Sequence, residues 1–185
     1  MSPHRLGGHA LIAAAPLSPQ HTALLLLGAE KYIARRAPVG PRPALQEAAT
    51  LLHHARNAGA HVLHVRRLQV GEPHREPGGH AVNGDRPRPA GLGNGEAVID
   101  THGVSPFADT RLQEELSARG VEAVIVAGVM TPSSCSATAN EALARNYRTV
   151  IPSELMNEQT RDTERRLGAE VLASKSIRDL LDAAG

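Results

Sequence analysis

With 20 basic and 19 acidic side chains among 185 residues, the chain has a formal charge of +1 and lacks the basic excess that contact with many phosphates requires. Two tyrosines, one phenylalanine and no tryptophan provide little stacking platform for unpaired bases, so no nucleic-acid partner is expected. The length suits one domain, with a core built from Leu, Val, Ile and Ala.

From the N-terminus, the apolar run Leu11 to Pro16 is too short and too interrupted for a signal core or a membrane span. Residues 1–20 are therefore read as a flexible arm, residues 21–185 as the domain, and no membrane partner is expected. Thr22 to Leu27 (TALLLL) is a continuous apolar run, as in a strand buried on both faces of a parallel sheet. Leu45, Ala48, Ala49, Leu52 and Ala55 recur at helical spacing, with Pro43 suited to the first turn and Gly59 to the stop. Ala60 to Val65 (AHVLHV) completes a βαβ unit. The stretch 68–96 is rich in glycine and proline and has no hydrophobic period, so it reads as a long loop, either a lid or a disordered insertion.

Ala97 to Ile99 forms a short third strand in this reading, and Thr110 with Gln113 is spaced as a capping box for a helix running to about Arg119. Val121 to Ala127 (VEAVIVA) is a second buried strand, Ser133 to Arg145 a helix and Arg148 to Ile151 a strand. Helix, strand and helix follow at Glu158 to Leu167, Ala169 to Leu172 and Ser174 to Ala184, with Ser174 as the cap. This alternation predicts a three-layer αβα sandwich with a mostly parallel, Rossmann-like sheet of about six strands, and a ligand site beyond the strands' carboxyl ends.

That rule singles out Gly28 to Glu30, His102 to Phe107 and Gly128 to Thr138. The last, GVMTPSSCSATA, is strand end, turn and helix start in succession, where backbone N–H groups can hold an anion and lower a thiol's pKa. Cys135 is the single cysteine, which rules out an intramolecular disulfide or a Cys-based metal site and suits a reducing cytoplasm. His61 and His64 lie three apart on a strand and point to opposite faces, and the adjacent His53 and His54 cannot converge on a helix. No metal is expected. GLGNGE over 91–96 follows no clear strand and opens no helix, so no nucleotide cofactor is expected either.

Together, the strand TALLLL, the segments ARNAGAHVLHVR and SPFADTRLQEEL, and GVEAVIVAGVMTPSSCSATANEALARNY resemble isochorismatase-like cysteine hydrolases over roughly residues 22–181. In that family an Asp ends the first strand, a Lys precedes a Ser-x-Phe turn, and a nucleophilic Cys follows Gly-x-x-Thr-x-x. Carried onto this chain, the Asp falls on Gly28, with Glu30 in place of the usual Gln, and the Lys falls on His102. Thr131 and Thr138-Ala139 place the nucleophile at Ser134, one position before Cys135. A one-residue slip would put Cys135 there instead; otherwise the cysteine packs as a small hydrophobe.

The resemblance thus implies a divergent enzyme without the family's triad and without a cofactor, acting on a small molecule in a specialised biosynthetic pathway. Glu30, His102 and Ser134 would have the residue types of a hydrolytic triad; as an alternative, His102 or Glu30 would act as the acid or base of an elimination, cyclisation or isomerisation. Gly28, Phe107, Val129, Met130, Thr131 and Thr138 are the expected substrate contacts, with the Val129–Met130 peptide cis in relatives. Singly, Ser133 and Ser134 also suit helix capping. The runner-up is a pseudoenzyme that binds a small molecule or a partner protein, and relatives imply a homodimer or homotetramer.

Overall fold

The computed structural model describes residues 15–28, 43–68, 92–108, 110–128 and 132–184. Six strands form one sheet: β1 Thr22–Leu27, β2 His61–Arg67, β3 Ala97–Thr101, β4 Ala123–Gly128, β5 Arg148–Pro152 and β6 Glu170–Leu172. Their order is β3-β2-β1-β4-β5-β6 and every pairing is parallel. Five α-helices are described: α1 Pro43–Ala58, α2 Leu112–Ala118, α3 Pro132–Ala144, α4 Glu158–Leu167 and α5 Ser174–Asp182. The result is the expected three-layer α/β sandwich.

The apolar runs of β1 and β4 follow from their central place, since strands covered on both faces have no polar side to offer. Leu24 and Leu26 face Leu51 and Ala55 of α1 and Ile177 and Leu181 of α5. Leu25 and Leu27 face Leu112 and Leu116 of α2 and Cys135, Ala139 and Ala142 of α3. Alternation along the strand thus divides one sequence run between two cores.

Part of the expected N-terminal arm belongs to the domain. Leu17 is buried, and its N–H donates to the Leu180 carbonyl at 2.9 Å. The Pro16 carbonyl accepts from Arg148 Nη1 at 2.9 Å. Leu17 closes the apolar layer under α5, which holds residues 15–20 against the sheet.

Two expected caps are replaced by longer-range partners. Gln113 does not turn back to form a capping box; its Nε2 donates to Tyr147 Oη at 2.9 Å and Ser117 Oγ at 3.2 Å, while Thr110 Oγ1 accepts from the Leu112 N–H. Ser174 lies inside α5, whose cap position is Ala173, and its N–H and Oγ both donate to the Glu154 carboxylate. A charged acceptor competes better for these donors than a local hydroxyl does.

Strand β2 runs two residues further than the apolar pattern indicated. Arg66 enters the sheet because Asp100, its register partner on β3, meets it in a two-bond ion pair at 2.7 and 2.8 Å. Pairing removes the cost of burying either charge alone. This extension carries the next residue, Arg67, to the strand's end.

Candidate active site

Because β1 connects to β2 on one side and sits beside β4 on the other, the strand order reverses between β1 and β4. In an open α/β sheet this switch point opens a crevice at the carboxyl ends. Leu27 pairs in register with Gly128, and the Gly28 N–H donates to the Val65 carbonyl at 2.8 Å. Gly28 has φ 69°, so β1 stops at Leu27. The strand continuation that would have put Glu30 on the same face as Gly28 therefore ends at once; Glu30 itself lies outside the described residues, as do Val129, Met130 and Thr131.

On the next strand pair, Arg67 stands opposite Thr101, and the Leu68 N–H donates to the Thr101 carbonyl at 2.9 Å. His102 is exposed one residue beyond that pair. The turn after it is held by the Gly103 N–H on Thr101 Oγ1 at 3.0 Å and the Phe107 N–H on Ser105 Oγ at 3.3 Å. Phe107, expected against substrate, is buried in the core, 6.3 Å from the Tyr147 ring and with the Arg145 guanidinium carbon 4.7 Å from its own centroid.

Helix α3 opens at Pro132, so Ser133 and Ser134 lie inside its first turn and neither is its cap. Ser134 is 0% exposed, and Arg67 Nη1 reaches its Oγ at 3.5 Å. Ser134 is thereby joined to the carboxyl end of β2, on the sheet face that also carries Leu63 and Val65. Thr138, also expected against substrate, is buried one turn on, and its Oγ1 donates to the Ser134 carbonyl at 2.7 Å.

Cys135 has different neighbours. It is 4% exposed among the apolar side chains under the sheet, and burial, with the Glu164 charge nearby, pushes its thiol up to about 11. Such surroundings disfavour the thiolate, as for a cysteine packed as a small hydrophobe. Ser134 and Cys135 thus differ in their partners: the hydroxyl meets a strand-end cation and the sulfur meets the apolar cluster.

His61 and His64 do face opposite sides of the sheet. His61 Nε2 lies 3.0 Å from the Gln20 carbonyl, and His64 Nε2 lies 2.8 Å from Glu96 Oε2. Among the described residues no three His, Cys, Asp or Glu side chains gather as a metal site, and no helix is long and apolar enough to cross a membrane.

Residues 22–182 match the isochorismatase domain. The chain belongs to the isochorismatase family. It is 36% identical over 104 residues to streptothricin hydrolase of Streptomyces noursei, a match covering 56% of this chain and 40% of that protein's length. With maleamate amidohydrolase of Pseudomonas putida it shares 30% identity over 161 residues, covering 76% of this chain and 74% of that one. The fold superposes on the crystal structure of a cysteine hydrolase from Pseudomonas syringae pv. phaseolicola with a TM-score of 0.65 at 19% identity, across 96% of this chain and 100% of the other.

Proposed function

We propose that the chain is a small-molecule hydrolase of the isochorismatase family whose chemistry proceeds from Ser134 and bypasses its thiol. The observation that carries this reading is the packing of Cys135 in the apolar cluster, where burial pushes its thiol up, beside a Ser134 that meets Arg67 at the carboxyl end of β2. The relatives named as a hydrolase and an amidohydrolase support an amide-type acyl carbon as the group attacked.

In this mechanism Ser134 Oγ attacks the carbonyl carbon while its proton passes to the His102 imidazole. The leaving amine takes the proton from His102, and water then hydrolyses the acyl-serine by the same route. The second reading, a binding protein without turnover, is favoured by one feature: Gly28 stands where the resemblance puts a carboxylate.

Paired variants decide among these. Assayed against a panel of primary amides, Ser134→Ala is expected to lose about 10⁴- to 10⁶-fold in kcat/KM. Cys135→Ala should stay within about threefold of the parent, with lower thermal stability from the small cavity. Equal activity of parent and Ser134→Ala on every amide turned over rejects covalent catalysis by the serine; loss confined to Cys135→Ala restores the thiol. No turnover by the parent supports the binding protein.

A further inference from the structure

We infer that Arg67 is an anchor for a carboxylate on the substrate, which makes the reacting molecule a compact amide acid and not a neutral amide. The inference rests on the reading that Ser134 marks the reacting centre. Its own evidence is the contrast between two neighbouring arginines on β2.

Arg66 and Arg67 point to opposite faces of the sheet. Arg66 is saturated by the bidentate Asp100 pair. Arg67, at the strand's carboxyl end, has no carboxylate within ion-pair distance among the described residues; its polar contact is the long 3.5 Å approach to Ser134 Oγ. A guanidinium carries five N–H donors in a planar fork and cannot be deprotonated, so it does not serve Ser134 as a base. What it offers beside that hydroxyl is a fixed positive charge with donors to spare, a geometry matched by a carboxylate.

Distance sets the size of the ligand. With 3.5 Å from Nη1 to Ser134 Oγ, and about 2.8 Å for a charge-assisted bond, the bound carboxylate sits within roughly 6 Å of the attacking oxygen. The carboxylate and the scissile amide are then separated by a short linker, as in succinamate. Larger amides without an acid leave the guanidinium in contact with apolar atoms and are discriminated against.

The test compares kcat/KM for succinamate with that for its neutral counterpart 4-oxopentanamide, in the parent, Arg67→Gln and Arg67→Lys. The parent is expected to prefer succinamate, and the ratio should fall about 10- to 100-fold in Arg67→Gln through KM, with Arg67→Lys between the two. A purely structural arginine would shift both substrates together and leave the ratio where it was. An unchanged ratio in Arg67→Gln overturns the anchor while leaving the hydrolase reading intact. Should neither amide be turned over, calorimetry with succinate separates the claims. Binding that Arg67→Gln abolishes upholds the anchor against the hydrolase reading, whereas binding absent or indifferent to residue 67 overturns the anchor as well.

Discussion

Gly128→Ala is expected to unfold the domain or bring it to the edge of unfolding. A methyl group on Gly128 would lie 2.2 Å from the Leu27 carbonyl oxygen, 2.6 Å from the Leu27 nitrogen and 2.8 Å from the Leu27 carbonyl carbon. All three are backbone atoms of the central strand, which is paired on both sides and has no rotamer to yield. The backbone at Gly128 also has φ 141°, which side-chain-bearing residues rarely adopt. Steric overlap and backbone strain together should cost about 4 kcal/mol or more, a large part of an ordinary domain's stability. Gly120→Ala is the control, because Gly120 has φ 62° with nothing within 4 Å of a built methyl group. It should cost about 1 kcal/mol. Urea midpoints that move equally in both variants would show that close approach to β1 contributes nothing. The argument also bears on the crevice, since Gly128 ends β4 beside Leu27, where the strand order reverses.

The architecture is legible in the sequence where one physical signal acts alone. TALLLL could only be a strand buried on both sides, and α1 runs over the residues that Pro43 and Gly59 bracket. Local signals fail where a distant polar group competes. Thr110 with Gln113, and Ser174 at its helix start, have the spacing and chemistry of caps, yet Tyr147 takes one side chain and Glu154 the other. No count of neighbouring residues reveals a hydroxyl 34 residues away. The same blindness shortens β2: Arg66 reads as a solvated charge until Asp100, itself polar, is known to stand opposite.

That shortening hides Arg67. Had β2 been extended through both arginines, alternation would have assigned Leu63, Val65 and Arg67 to one face and brought a cation toward α3. The hydroxyl and the thiol are a different case. Adjacent residues on a helix differ by about 100° in direction, so one position decides which partners a side chain meets. Burial of both residues separates them less than their partners do: Ser134 with Arg67, Cys135 with the apolar cluster and the Glu164 charge. Sequence spacing to Thr131 and Thr138 selects Ser134, but only packing shows where the sulfur goes.

A second large effect is expected from Glu96, which ties residues 92–96 to Arg56 of α1 and His64 of β2. Its side chain is 7% exposed and accepts from Arg56 Nε at 2.6 Å, Arg56 Nη2 at 2.8 Å and the Gly93 N–H at 2.8 Å, with His64 Nε2 2.8 Å away. Burial alone would raise this carboxyl, but the donors outweigh it and bring the pKa down from 4.5 to about 2. Glu96→Ala removes an acceptor shared by a part-buried guanidinium and a buried imidazole and should cost about 3 kcal/mol or more. The pH dependence has a definite sign. A carboxyl held lower in the folded state stabilises fully above its unfolded pKa, and that contribution disappears as pH falls from about 4.5 toward about 2. Solvent reaches the Arg56 side of the network, whose side chain is 33% exposed, so the titrating part is about 2 kcal/mol. Unfolding free energies of the parent and Glu96→Gln should therefore converge by about that amount between pH 5 and pH 2. A gap that stays constant across this interval would mean that the carboxylate's charge does not hold the segment, and that its shape and hydrogen bonds alone do.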